Sequence, residues 1–218
     1  MHTSAAELLT AQDTRAQKIN VRRLGLMDYE PIWRAMREMT AGRTPDSADE
    51  IWLLQHPPVY TLGVGGRSEH LPRGVNLIPV IKVDRGGQIT YHGPGQVVVY
   101  LLLDMHRRGL AVRPLVRMME QAVIDLLAAH GVTAEGSIAA PGVYVNGAKI
   151  AALGLRVKKG CCYHGLAFNV DMDLTPFHAV DPCGYPGLAV TQARDLGLIG
   201  SADDLGEQLV DHLLKHLS

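Results

Sequence analysis

Two tight-turn signals close together do most to limit the folds open to this chain. Asn146-Gly147 supplies two residues that accept positive φ, as a type I′ hairpin turn requires, and Lys158-Lys159-Gly160 forms a second turn. Around them lie Val143–Val145, Lys149–Val157 and Tyr163–Val170, so the sequence predicts three strands joined by hairpins. Upstream, Ile51–Leu54, Val59–Leu62, Ile78–Val83 and Val97–Leu103 read as further strands, with Pro57-Pro58 separating the first two. A helix is expected from Asp28 as N-cap, with Tyr29, Ile32, Trp33, Met36 and Met39 at helical spacing and Gly42 past its end. Pro114 opens a second over Leu115–Ala129, with Gly131 beyond it. Ser201 and Asp204 form a capping box ahead of Leu205, Leu209, Leu213 and Leu217. Arg43–Glu50 and Gly63–Gly74 read as loops. These elements predict an α+β fold, a mixed or antiparallel sheet flanked by helices, with residues 1–23 as an extension and 24–218 as one domain.

Composition narrows the function classes. Apolar residues make up 47% and charged residues 20% of the 218, which excludes a disordered chain. Aromatics are only 5%, so the core must rest on Val, Leu, Ile and Ala. Lys and Arg number 21 against 22 Asp and Glu, a balance that argues against a nucleic-acid partner. No apolar run approaches the length of a membrane span. The first twenty residues include Glu7 and Asp13 and lack a continuous apolar stretch, so no signal peptide is expected. Three cysteines, at 161, 162 and 183, do not make a disulfide framework, and a cytoplasmic location is expected.

Four segments could carry chemistry. Arg85–Gln96 is dense in glycine, so its backbone can approach a ligand closely and offer N–H groups. It matches neither a Walker loop nor a dinucleotide fingerprint, and a plain turn with His92 as a satisfied polar residue stays open. Gly63-Val64-Gly65-Gly66-Arg67 reads as a surface loop. Cys183 sits in Asp181-Pro182-Cys183-Gly184-Tyr185-Pro186-Gly187, where two prolines and glycines frame a reachable thiol that is either structural or a nucleophile. Cys161 and Cys162 open a strand and fit packing. With His164 they lack the paired spacing of a zinc site, so no metal is expected. Strand alternation puts Lys149 on the face of Ala151, Leu153 and Leu155. It is either a solvated hairpin-end lysine or, if that face is buried, one whose pKa falls until it can act as a base.

Together Arg85–Gln96, Lys149–Val157, Gly160–Asp173 and Asp181–Gln192 resemble the lipoyl(octanoyl) transferases. The likeness runs from about Leu24 to the C-terminal helix and includes His56-Pro57-Pro58 and Thr61–Leu71. It implies the fold of the biotin- and lipoate-protein ligase catalytic domain. It further implies transfer of an octanoyl or lipoyl group from acyl carrier protein to a lysine of lipoyl domains, those of 2-oxo acid dehydrogenase complexes and the glycine cleavage H protein, without a cofactor. Cys183 would carry the acyl group as a thioester and Lys149 would lower its pKa. Arg85, Gly86, Gly87, Gln88, Ile89, Thr90, Tyr91 and His92 would bind substrate with Ala152, Leu153, Gly154, Gly165, Leu166 and Ala167. An apolar slot made in part by Ala151 or Ala152, Leu153 and Leu166 would measure the chain. Where the family usually carries serine, this chain has Cys162.

The chemistry suits that implication. A thiol with pKa near 8.5 is only a few per cent ionised at neutral pH, so a neighbouring lysine that stabilises the thiolate matters. Exchange between thioesters is nearly isoenergetic, and amide formation then runs downhill without ATP. An ATP-dependent lipoate- or biotin-type ligase is the alternative, and a non-catalytic lipoyl-domain or carrier-binding module is a third. Neither explains why the chain holds both Cys183 and Lys149. An acidic carrier would dock on local basic groups, for which Arg107-Arg108 and Lys158-Lys159 are the adjacent pairs and Arg67, Arg73, Arg113 and Arg117 lie nearby in sequence.

Overall fold

A computed structural model describes residues 18–74, 77–181 and 187–218. The strands are β1 (Ile19–Leu26), β2 (Asp49–Gln55), β3 (Val59–Leu62), β4 (Val80–Lys82), β5 (Ile89–His92), β6 (Gln96–Asp104), β7 (Glu135–Gly136), β8 (Gly142–Val145), β9 (Ala148–Lys158) and β10 (Cys161–Asn169). The helices are α1 (Tyr29–Ala41), α2 (Val112–Ala129) and α3 (Ala202–Leu217).

Seven strands form one sheet in the order β1-β2-β6-β10-β9-β8-β7, and β4-β3-β5 form a second. The large sheet is mixed: β1 runs parallel to β2, linked through α1, and the other pairs are antiparallel. The expected α+β architecture is therefore present. The extension does not reach residue 23, because Ile19–Leu26 pairs along β2 and closes one sheet edge. Five of its eight residues are exposed, so no clean alternation marks it as a strand. Residues 1–17 lie outside the described residues.

Both hairpin turns form as expected. Asn146 and Gly147 have φ of 50° and 79°, and Lys159 and Gly160 have φ of 50° and 78°. Helix α1 spans the expected residues, although the Asp28 side chain makes no capping bond. The Ser201–Asp204 capping box is complete.

Alternation along β2, β6 and β10 sends side chains to two cores. Ile51, Leu53, Val97, Val99, Leu101, Leu166 and Phe168 pack beneath α2 and α3. Trp52, Leu54, Val98, Tyr100, Leu102 and Ala167 face α1 with Ile32 and Met36. Cys162 belongs to the first core, and burial pushes its thiol up to about 12. Burial also raises the Cys161 thiol. Both fit the packing role.

Arg43–Glu50 is not simply a loop. Asp49, fully buried, begins β2 and accepts from Arg43, from Arg107 at 2.8 Å, from Arg108 at 2.5 Å and from the Asp104 backbone N–H at 2.8 Å. Arg107 also donates to the Pro45 and Ser47 carbonyls, and Arg108 to that of Leu217. The pair Arg107-Arg108 is thus committed to holding the α1–β2 connection, the end of β6 and the C-terminus of α3 together. It is no docking patch. Of the other basic groups, Arg73 pairs with Asp181, Arg117 with Glu120 and Arg67 with Glu69, whereas Lys158 and Lys159 are exposed at the hairpin tip.

Candidate active site

A cleft opens on the α1 face of the large sheet because four adjacent positions there have side chains no larger than methyl. Ala152 of β9 lies opposite Ala167 of β10, and Gly154 opposite Gly165. This floor continues to Val98 and Tyr100 on β6, opposite Ala167 and Gly165. A Cβ on Gly165 would stand 2.1 Å from the Val99 carbonyl oxygen, so the close approach of β10 to β6 admits only glycine. The 85–92 segment forms the opposite wall, tied to β9 by a 3.0 Å bond from the Gly86 N–H to the Leu155 carbonyl.

Of the residues expected to bind substrate, Arg85, Gly87, Gln88, Ile89, Thr90, His92, Ala152, Leu153, Gly154, Gly165, Leu166 and Ala167 all line this cleft. Gly86 and Tyr91 do not. The Gly86 amide is spent on β9, and the Tyr91 ring packs away from the cleft against Tyr60 and Phe177 at 5.5 Å. The cleft also takes in Tyr29, Tyr100 and His164, which the sequence reading missed. Tyr29 and Tyr100 come from elements whose apolar pattern spoke only of packing. The His164 side chain lies beside Tyr100 and Asp84, on the α1 face, although alternation would place it with Cys162 and Leu166. Its backbone φ of 65° breaks the alternation.

The polar groups around the cleft are paired in a definite order. Gln96 Nε2 donates to the Tyr91 carbonyl and to Asn169 Oδ1, which turns Gln96 Oε1 toward His92 Nδ1 at 2.7 Å. His92 therefore carries its hydrogen on Nδ1, and its Nε2 accepts from the Thr61 hydroxyl at 3.3 Å. Arg85 donates to both the hydroxyl and carbonyl of Thr61. His56 Nδ1 donates to the Met27 carbonyl at 2.6 Å, so its Nε2 accepts from Tyr100 at 2.8 Å. Burial pulls His56 down to about 4 and His92 to about 3, and pushes Tyr29 up to about 12. These side chains are neutral near pH 7. Apart from the Arg85 guanidinium, which is turned onto Thr61, such a wall suits an uncharged chain, and His92 is indeed a satisfied polar residue while also lining the cleft.

Lys149 reaches this region by a route the sequence does not show. Tyr144 pairs with Lys149 but Val143 with Ala151, so Ile150 is an extra residue in β9. The bulge turns Lys149 away from the face of Ala151, Leu153 and Leu155 and onto the face of Ala152. Lys149 is only 3% exposed. Its Nζ donates to the Pro141 carbonyl at 3.3 Å and lies 5.1 Å from the Tyr144 ring centre. Gly142 leaves room for it, since a Cβ there would meet Lys149 Cε at 2.8 Å. The lysine lines a small cavity that shares Thr90 and Ala152 with the main cleft. Its backbone also pairs with the returning chain: the Lys149 N–H donates to Ala189, and Thr191 donates to Lys149. Cys183 lies outside the described residues, as do its neighbours 182 and 184–186. Among the described residues, no cluster of His, Cys, Asp and Glu is arranged to hold a metal ion.

The family model for the lipoyl protein ligase A/B catalytic domain matches residues 28–214. An octanoyltransferase from Thiobacillus denitrificans is 64% identical over 195 residues, covering 89% of each chain. Among solved structures, lipoate-protein ligase A bound with ATP superposes with a TM-score of 0.69 at 16% identity, over 92% of this chain and 85% of that one. The biotin protein ligase of Aquifex aeolicus does so at 0.58 and 12%, over 91% and 70%. At such identities the structural likeness speaks for the fold alone.

Proposed function

The chain belongs to the lipoyl protein ligase A/B catalytic-domain family, and from that premise we propose that it is the acyltransferase that moves an octanoyl or lipoyl group from acyl carrier protein to a lysine of lipoyl domains. The acceptors are those of 2-oxo acid dehydrogenase complexes and the glycine cleavage H protein. The Cys183 thiolate attacks the carrier thioester and releases the carrier thiol. The acceptor amine then attacks the acyl-cysteine and restores the thiol. Lys149 takes the proton of the Cys183 thiol and stabilises the thiolate as an ammonium, gives that proton to the departing carrier thiolate, and, neutral again, accepts a proton from the incoming amine. Lys158 and Lys159 receive the acidic carrier. The reaction needs no cofactor and belongs in the cytoplasm, and no described helix is long and apolar enough to cross a membrane.

The observation that carries this reading is the bulge at Ile150. It turns a buried lysine toward a small cavity that shares the lining residues Thr90 and Ala152 with an apolar cleft. The ATP-dependent ligase reading has weaker support, because the family model covers ligases and transferases alike, whereas the relative at 64% identity is an octanoyltransferase and the ligase of known structure is only 16% identical. Intact-protein mass spectrometry after incubation with octanoyl carrier protein, without ATP, tests the proposal. One octanoyl mass should appear, be lost in Cys183→Ala and persist in Cys161→Ala. An adduct on Cys161 or Cys162, or a requirement for ATP, would overturn it.

The cleft itself is open to a separate test. Ala152→Leu should lower the rate of octanoyl loading about 100-fold, because the added carbons exclude three or four methylenes worth about 0.8 kcal/mol each. The leucine fills existing space, so thermal stability should hold. Ordinary loading in this variant would show that the chain lies elsewhere.

A further inference from the structure

Among the described residues, His164 brings to the cleft wall a buried ring nitrogen with no hydrogen-bond partner. Its Nε2 lies 3.0 Å from Asp84 Oδ1. A carboxylate only accepts, so Nε2 carries the hydrogen. Asp84 is itself held, accepting from Trp33 Nε1 at 2.8 Å and from the Tyr163 hydroxyl. Burial pulls the Asp84 carboxyl up, but hydrogen bonds from His164, Tyr163 and Trp33 outweigh it and keep it well below the usual range. Burial also lowers His164, which stays neutral near pH 7. Nδ1 is then a bare acceptor. It is buried and without a hydrogen-bond partner among the described residues, on a side chain 1% exposed.

Its place along the cleft gives this acceptor a meaning. The lysine cavity and the cleft have Ala152 in common, whereas His164 lies opposite Leu155. Three residues of strand separate these levels by about 10 Å. An extended eight-carbon chain advances about 1.2 Å per bond, or roughly 8–9 Å in all. A chain whose carbonyl sits by Thr90 and Ala152 therefore ends just short of His164. A longer apolar chain would press against Nδ1, displacing water from an acceptor that has no other donor. A chain ending in a donor would satisfy it.

Resting on the acyl-transfer reading above, we infer that His164, oriented by Asp84, reads the far end of the acyl chain: it stops apolar chains at about eight carbons and accepts a hydrogen bond from a polar terminus. Asp84 is a positioning residue in this arrangement, since its carboxylate selects the tautomer.

Calorimetric binding of free acids to the full chain tests this independently of transfer. Octanoate should bind at least tenfold more tightly than decanoate. In 8-hydroxyoctanoate the hydroxyl replaces the terminal methyl of nonanoate, so the two are matched in size. The wild-type protein should bind the hydroxy acid at least as tightly as nonanoate. His164→Phe should bind it at least tenfold more weakly than nonanoate and should lose most of the octanoate preference over decanoate. Nitrogen-15 spectra should show the Nε2–H tautomer of His164 in the wild type and a shift toward Nδ1–H in Asp84→Asn. If the wild type disfavours the hydroxy acid tenfold, or His164 carries its hydrogen on Nδ1, the inference is wrong; both measurements stand even if His164→Phe does not fold. Should octanoyl transfer fail while this binding pattern holds, the transferase reading falls and the end-reading role remains.

Discussion

Lys149→Ala is expected to reduce octanoyl transfer by about three orders of magnitude, within the 10²–10⁴ range typical of a positioned acid–base group. The alkylation of Cys183 should also slow near neutral pH, with its pH profile moved upward. The size of the effect follows from placement: Lys149 is only 3% exposed, and its Nζ is held against the Pro141 carbonyl and the Tyr144 ring. Lys149→Arg separates the two parts of that role. A guanidinium keeps the positive charge but does not give up its proton, and the space beside Gly142 is cut to a slimmer side chain. Alkylation should recover partly in the arginine variant while transfer stays low. Wild-type alkylation and transfer in Lys149→Ala would remove the lysine from the mechanism.

Asp49→Ala should destabilise the fold by about 3–5 kcal/mol, the usual cost of leaving buried charge unpaired. In a chain of this length that corresponds to a fall in Tm of roughly 6–20 °C. Arg43 and Arg108 have side chains only 6% and 9% exposed, so neither can turn to water without uncovering the core around it. Asp49→Asn keeps the acceptor for the Asp104 N–H but not the charge, and should fall between. Thermal and urea denaturation read both. A loss below about 1 kcal/mol in Asp49→Ala would mean that water reaches the three guanidinium groups.

The two cases differ in how far the sequence reports them. Asp49 stands in a polar run that reads as a turn, and its partners Arg107 and Arg108 look like a surface pair. Only the meeting of β2, the end of β6 and the C-terminus of α3 brings the four charges together. The lysine was legible as a candidate, but its face was not. Alternation assigns Lys149 to the side of Ala151, and the extra residue Ile150 reverses that assignment. His164 was hidden for the same kind of reason, a single positive φ within an otherwise regular strand.

What the sequence by itself determined is what neighbouring residues decide among themselves. Asn146-Gly147 forms a tight turn because few other pairs tolerate φ above zero twice, and Gly160 supplies one such position in the next turn. The capping box at Ser201 starts α3 through bonds three residues apart. The small residues at 152, 154, 165 and 167 are likewise written in the chain. That they form one hollow floor depends on the register of β9 against β10, and the reach of Lys149 and His164 into the same region depends on two local breaks in strand regularity. Those breaks persist because the surrounding sheet, the Asp84 carboxylate and the Ala189–Thr191 pairing hold them. Such contacts join residues far apart in sequence, so only the folded arrangement decides them.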